Sequence, residues 1–206
     1  MYKIFNRSLA IVILILPFVS CNSIKMDYKK VDIVYKNVNL IPMTGEEIIE
    51  SISVHVSVSE GKIMGIGEFS DLILPDQVKV IDGRGKYLTP GFSDMHVHTY
   101  YPEELDLFIA NGVTTVRNMF GFPEHLKARK AIKDKKIIGP ELFTTGPLID
   151  GKNAYWPGSF ILIKKEDVKE AITKMKMDGY DFIKVYDKLS PQVYNEIIRV
   201  EKKMKD

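Results

Sequence analysis

Two hydrophobic rhythms divide this chain. From Tyr28 to about residue 90, apolar positions alternate with polar ones: Val31, Ile33 and Tyr35, then Val38 and Leu40, and most regularly Ile52-Ser53-Val54-His55-Val56-Ser57-Val58-Ser59. Period two is the mark of strands with one buried face. Pro42-Met43-Thr44-Gly45 reads as a turn, and Glu60-Gly61-Lys62-Ile63 as a hairpin into Ile63-Met64-Gly65-Ile66-Gly67. With a further strand at Lys79-Val80-Ile81-Asp82, the stretch predicts a small antiparallel β-domain. On this pattern His55 falls on the serine face and reads as a solvated strand residue without chemistry.

Beyond His98 the rhythm switches between strand and helix. Residues 103–111 fit a helix with Leu105, Phe108 and Ile109 on its buried stripe and Gly112 as its stop. A β-branched strand follows over 113–119, a helix over 123–136, a break at Gly139-Pro140 and a strand over 141–145. A loop rich in Gly, Pro and aromatic residues over 146–158 precedes a helix over 165–178, a strand over 181–186 and a helix over 191–205. Strand-helix units at this spacing make parallel crossovers, so the fold class is α/β. His125 lies in a helix and reads as a surface residue.

The first residues stand apart from both rhythms. Lys3 and Arg7 precede an apolar run over residues 9–16, which is well short of the roughly 20 residues a membrane-spanning helix needs. This predicts a signal peptide over residues 1–20. Cys21, the one cysteine, follows Pro17-Phe18-Val19-Ser20, an arrangement that resembles a bacterial lipoprotein signal although Phe18 and Val19 depart from its Leu-x-(Ala/Gly) consensus. The expectation is lipidation of Cys21, a tether over 21–27 and an exported protein anchored to a membrane of the bacterial cell envelope. Plain secretion, or a periplasmic location, is the alternative. A single cysteine excludes a disulfide framework. Removing residues 1–20 takes away two basic and no acidic side chains, leaving 27 of each; no nucleic-acid-binding signature accompanies that neutral balance.

Candidate chemistry gathers at Pro90-Gly91-Phe92-Ser93-Asp94-Met95-His96-Val97-His98. His96 and His98 share a parity, so both imidazoles lie on one side of an extended strand and can grip one metal ion; two histidines can equally share a face as hydrogen-bonded core residues. Met95 and Val97 point the other way. Asp94 shares the histidines' parity and either supports them by hydrogen bonding or is a polar residue at the strand start. In the strand over 181–186, Phe182, Lys184 and Tyr186 lie on one side and Ile183 and Val185 on the other. A lysine in such a strand must pair, shift its pKa or be modified; on spacing alone its stem packs on apolar surface and its head reaches water. Tyr155 and Trp156 either contact a substrate or fold down as a local cluster.

The run Val80-Ile81-Asp82-Gly83-Arg84-Gly85-Lys86-Tyr87-Leu88-Thr89, continuing through His98, resembles the entry to the first barrel strand of the amidohydrolase superfamily. There a D-x-x-G-x-x-(L/V)-x-P-G-(F/L)-x-D-x-H-x-H pattern is found, and the likeness is to the imidazolonepropionase-like and Xaa-Pro dipeptidase-like branch. Asn37-Val38 and Glu60-Gly61-Lys62-Ile63 are similar to the same superfamily's N-terminal β-sandwich portion. The resemblance implies a β-sandwich portion over 28–90 and the first four units of a (β/α)8 TIM-type barrel over 91–206. It implies His96, His98 and a carboxylated Lys184 as ligands to one or two divalent ions, zinc foremost. Arg117 and Asn118 match its T-x-V-R segment, lining the pocket or buttressing it.

The implied reaction is attack of metal-bound hydroxide on a carbonyl carbon, cleaving the C–N bond of a small amide or dipeptide. In binuclear members two further histidines and a late aspartate complete the site. After Lys184 this sequence has no histidine, and its acids are Asp187, Glu196, Glu201 and Asp206. No catalytic residue is therefore identified, and the expectation is an N-terminal half that is inactive alone or needs a partner, a second copy or a separate second half. A non-catalytic surface lipoprotein that only binds a ligand is the alternative.

Overall fold

The computed structural model describes residues 30–68 and 76–204. The expected signal peptide, Cys21 and tether lie outside them. The chain divides into two compact units between Thr89 and Pro90.

In the first unit, β1 (Ile33–Leu40), β2 (Ile49–Ser57), β3 (Lys62–Gly67), β4 (Lys79–Asp82) and β5 (Tyr87–Leu88) form one sheet in the order β3-β2-β1-β4, with β5 also on β1. The hairpin partners β1-β2 and β2-β3 are antiparallel as expected. The sheet is nevertheless mixed, because β4 and β5 take the other edge of β1 and run parallel to it. Alternation also fails within β1. Its register advances from Tyr35 to Val38 while β2 moves only from Val54 to Ile52, and Asn37 sits at φ 58°. This bulge brings Val38 and Leu40 into the same cluster as Tyr35, Val54 and Leu88. Asn tolerates the left-handed conformation, and its side-chain amide donates to Asp82 Oδ1 at 3.1 Å, which ties the bulge to β4.

His55 is not solvated. It is 1% exposed, paired with Val34 of β1 and Gly65 of β3. The serine face of β2 is buried too, with Ser53 and Ser57 inside, so a polar stripe on a central strand did not mean a wet one. Burial pushes the His55 pKa below its ordinary value. A depressed folded-state pKa means that the unfolded chain binds the proton more readily. The stability His55 contributes is therefore full above about pH 6.5 and is lost as pH falls through the folded-state pKa. Urea unfolding at about pH 7.5 and about pH 5.5 should show this loss, and His55→Gln should flatten the pH dependence; an equal slope in the variant would refute the assignment.

In the second unit, β6 (Phe92–Val97), α1 (Leu105–Ala110), β7 (Val113–Asn118), α2 (Pro123–Lys133) and β8 (Glu141–Thr144) alternate along the chain. The three strands form a parallel sheet in the order β6-β7-β8. Val97, Leu105, Val116, Ala128 and Leu142 make the core between sheet and helices. Next come the short parallel pair β9 (Ile149–Asp150) and β10 (Phe160–Ile161), then α3 (Val168–Asp178) and α4 (Pro191–Lys203). Ile149, Leu162, Ile172, Met175, Val193 and Ile197 pack as a second cluster. Helix α3 stops at Gly179, whose φ of 96° suits only a residue without Cβ, and Ser190 Oγ caps α4 by accepting from the Val193 amide at 3.3 Å.

The segment over 181–186 departs from the expected regular strand. It is extended, but meets its neighbour in two isolated parallel bridges, Thr145 with Phe182 and Ile149 with Val185. The bridging partners are four residues apart on one side and three on the other, and Pro147 between them has no amide to donate, so a continuous ladder cannot form. Separate bonds hold the segment instead: Gly146 N–H to Phe182 O, Ile149 N–H to Lys184 O and Tyr186 N–H to Ile149 O. Ile183 and Val185 pack on the second cluster, on the side the alternation predicted.

Candidate metal centre

Strand β6 carries His96 near its end, and His98 is the residue immediately after it. The register against β7 steps from Asp94 to Val97 while β7 moves from Val116 to Asn118, a bulge that falls at Met95-His96. Bulges re-aim side chains beside functional sites. Past it, Val97 enters the core and its carbonyl accepts from the Met119 amide at 2.9 Å, while His96 and His98 stay on the accessible side. Of the two residues that alternation places opposite the rings, Val97 is buried and Met95 is exposed.

The two imidazoles converge. Their Nε2 atoms are 3.4 Å apart, with ring planes tilted by 41°. An ion held by two nitrogens at about 2.0–2.1 Å with a tetrahedral angle between them separates those nitrogens by about 3.3–3.4 Å. The pair therefore has the bite of a single tetrahedral ion. Burial, then the neighbouring His96 and Lys184, lowers the His98 pKa, which favours the neutral ring that ligates metals. Lys184 lines the same space: His96, His98, Lys184, Tyr186, Trp156, Tyr100, Phe120 and Leu148 surround a cavity of about 430 Å³. Among the described residues no group of three or more His, Cys, Asp or Glu side chains gathers as a metal site. The two histidine nitrogens are the pair that could hold an ion, and Lys184 lines the same cavity.

The remaining predicted residues fall into different roles. Asp94 Oδ1 accepts from the His96 backbone amide at 3.1 Å, so it supports the strand and not a ring; the bulge breaks the parity that had linked the two side chains. Arg117 buttresses, its Nε donating to the Met95 carbonyl at 2.7 Å and its guanidinium lying over the Phe182 ring at 5.8 Å. Asn118 is fully buried and bonds to Thr99, Phe120 and Thr144. Trp156 Nε1 donates to Tyr186 Oη at 3.0 Å, which joins two predicted pocket residues into one wall. Tyr155 stands edge-on to Trp156 and is exposed, outside the cavity lining.

His125 is not a surface residue. It is buried, its Nδ1 accepting from the Phe122 amide at 3.0 Å and its Nε2 lying 2.7 Å from the Thr99 carbonyl. A readable signal existed: Pro123 at the first helical position puts His125 at the third, where a side chain can reach back to the amide of the capping residue. Tyr100 and Phe120 were missed as lining residues, since nothing in their local pattern separates a pocket wall from a loop.

No protein-family model matches the chain. It is 36% identical over 92 residues to an adenine deaminase of Listeria innocua, covering 42% of this chain and 14% of that one. It is 40% identical over 81 residues to an imidazolonepropionase of Colwellia psychrerythraea, covering 36% of this chain and 19% of the relative. Among solved structures, 84% of the chain superposes on a bottromycin amidohydrolase with a TM-score of 0.69 and 26% identity. These similarities support the amidohydrolase superfamily for this chain. A Xaa-Pro dipeptidase with bound methionine shares the fold with a TM-score of 0.66 at 18% identity, again over 84% of this chain. The matched stretches are 14% and 19% of the two curated relatives, and the chain spans 37% of the bottromycin amidohydrolase and 54% of the dipeptidase.

Proposed function

We propose that this chain forms part of a metal-dependent hydrolase acting on C–N bonds, with His96 and His98 as the ligand pair and a carboxylated Lys184 as the third group. The observation that carries this reading is the 3.4 Å separation of the two Nε2 atoms in one cavity with Lys184. Relatives named adenine deaminase and imidazolonepropionase support the reaction class. On this reading β6, β7, β8 and the segment over 181–186 are the first four strands of a (β/α)8 barrel, and the first unit is the superfamily's β-sandwich portion.

Each part of the site has a task. His96 and His98 would hold the ion through their Nε2 atoms. Addition of carbon dioxide to the Lys184 amine, with two protons released from the ammonium, would give an anionic carbamate, which removes the cation beside His98 and adds two oxygen donors. A divalent ion held there, zinc foremost, would polarise a carbonyl oxygen and lower the pKa of water. Trp156 and Tyr186, joined by their hydrogen bond, and Tyr100 in the same lining present aromatic surface to a small amide or dipeptide.

Metal analysis of purified protein after dialysis tests the assignment. Wild type should retain zinc, and Lys184→Ala should retain at least about tenfold less, the scale set by losing even a supporting partner of a metal site. Equal metal in variant and wild type would remove Lys184 from the site. Cys21 is proposed as the lipid attachment point, on the strength of the basic start, the short apolar run and the cysteine that follows it. Fatty-acid label should enter the wild type and be absent from Cys21→Ala; an unlabelled wild type would sink the anchor.

A further inference from the structure

Thr99, the residue immediately after His98, is buried and held at both of its backbone groups by side chains of the next strand-helix unit. Its amide donates to Asn118 Oδ1 at 3.3 Å, and its carbonyl lies 2.7 Å from His125 Nε2. Neither holder is free to turn. Asn118 Nδ2 donates both to the Phe120 carbonyl at 3.0 Å and to Thr144 Oγ1 at 3.1 Å, which settles which end of its amide faces Thr99. The Phe122 amide must donate to His125 Nδ1, so that ring carries its proton on Nε2 and donates to the Thr99 carbonyl. The link between Asn118 and Thr144 crosses to β8 where the chains run very close, because a Cβ on Gly121 would meet the Thr145 carbonyl at 1.7 Å.

The geometry points to Asn118 and His125 as positioning residues for the histidine pair. His98 lies past the last paired residue of β6, Val97 opposite Asn118. From there no ladder fixes the chain, yet His98 Nε2 must sit at chelating distance from His96 Nε2. The two clamps on Thr99 replace the missing ladder. They fix the backbone from which His98 projects, through neutral buried bonds that do not compete for an ion. Their effect on metal binding rests on the reading of His96 and His98 as ligands; the clamp itself does not.

The full chain without metal gives the first test. By 15N NMR His125 should be the neutral Nε2–H tautomer, and the Thr99 amide should exchange slowly in wild type and faster in Asn118→Ala. The opposite tautomer, or an unprotected Thr99 amide in wild type, would overturn the clamp. Zinc titration then separates positioning from mere stability. His125→Ala and Asn118→Ala, each folded by circular dichroism, should bind zinc about 10–100-fold more weakly than wild type, the usual loss when a supporting partner of a metal ligand is removed. Folded variants that bind zinc as wild type does would refute the positioning role. If Asn118→Ala fails to fold, His125→Ala, which leaves the Asn118 bonds in place, and the wild-type tautomer carry the test. A wild type that binds no zinc would overturn the ligand assignment and the positioning role together, while the tautomer and the Thr99 amide would still report on the clamp.

Discussion

Zinc retention collapses when His96 and His98 are both replaced by alanine. The expected loss is more than about 100-fold in affinity, because removing a supporting hydrogen bond to a ligand already costs about 10–100-fold and here the ligands themselves go. Their 3.4 Å Nε2 separation leaves room for one shared ion, so the single variants should resemble the double one instead of each losing half. The fold should survive. Both rings lie on the accessible side of an edge strand, whereas the core contacts of β6 are made by Val97. Thermal unfolding without metal should therefore stay close to wild type. A double variant that keeps the wild-type zinc content after dialysis would place the ion elsewhere.

Much of this arrangement was legible from residue spacing, and the failures share a cause. The rhythm change near residue 90 and the strand-helix alternation beyond it follow from local periodicity, and His96 and His98, one residue apart, converge although a bulge falls at the first and the ladder ends before the second. Lys184 on one side and Ile183 with Val185 on the other obey it too. Bulges defeat it. At Asn37 and at Met95-His96 one extra residue breaks the alternation, and the second of these removed Asp94 from the face of the rings. Burial on a second face defeats it as well. The serine face of its strand makes His55 read as solvated and a helical position makes His125 read as a surface residue, yet each is enclosed by segments distant in sequence. No local pattern reports that the carbonyl of Thr99 lies over α2.

Gly151→Ala should be among the most damaging single substitutions in the second unit. A Cβ there would meet the Lys188 carbonyl oxygen at 1.8 Å and its carbon at 2.5 Å. Both are backbone atoms, so no side chain can swing aside and the segment after Tyr186 must move. That movement breaks more than packing. Asp150, fully buried, uses Oδ1 to accept from the Gly151 amide at 2.9 Å and the Lys188 amide at 2.6 Å, and displacing Lys188 leaves a buried carboxylate short of a donor. The expected cost is about 3 kcal/mol or more, the upper end of overpacking, or roughly 6–12 °C in Tm for a chain of this size. Lys152→Ala, at the exposed neighbouring position, should shift Tm by less than about 1–2 °C. The strain also runs back along the chain toward the site, since Ile149 holds the Lys184 carbonyl and the Tyr186 amide at 2.8 Å each. Gly151→Ala protein that remains folded should therefore bind zinc more weakly, although residue 151 is outside the cavity lining. Unchanged Tm would show that β9 and the segment after Tyr186 can separate freely, and Lys184 would then have no fixed place beside the histidines.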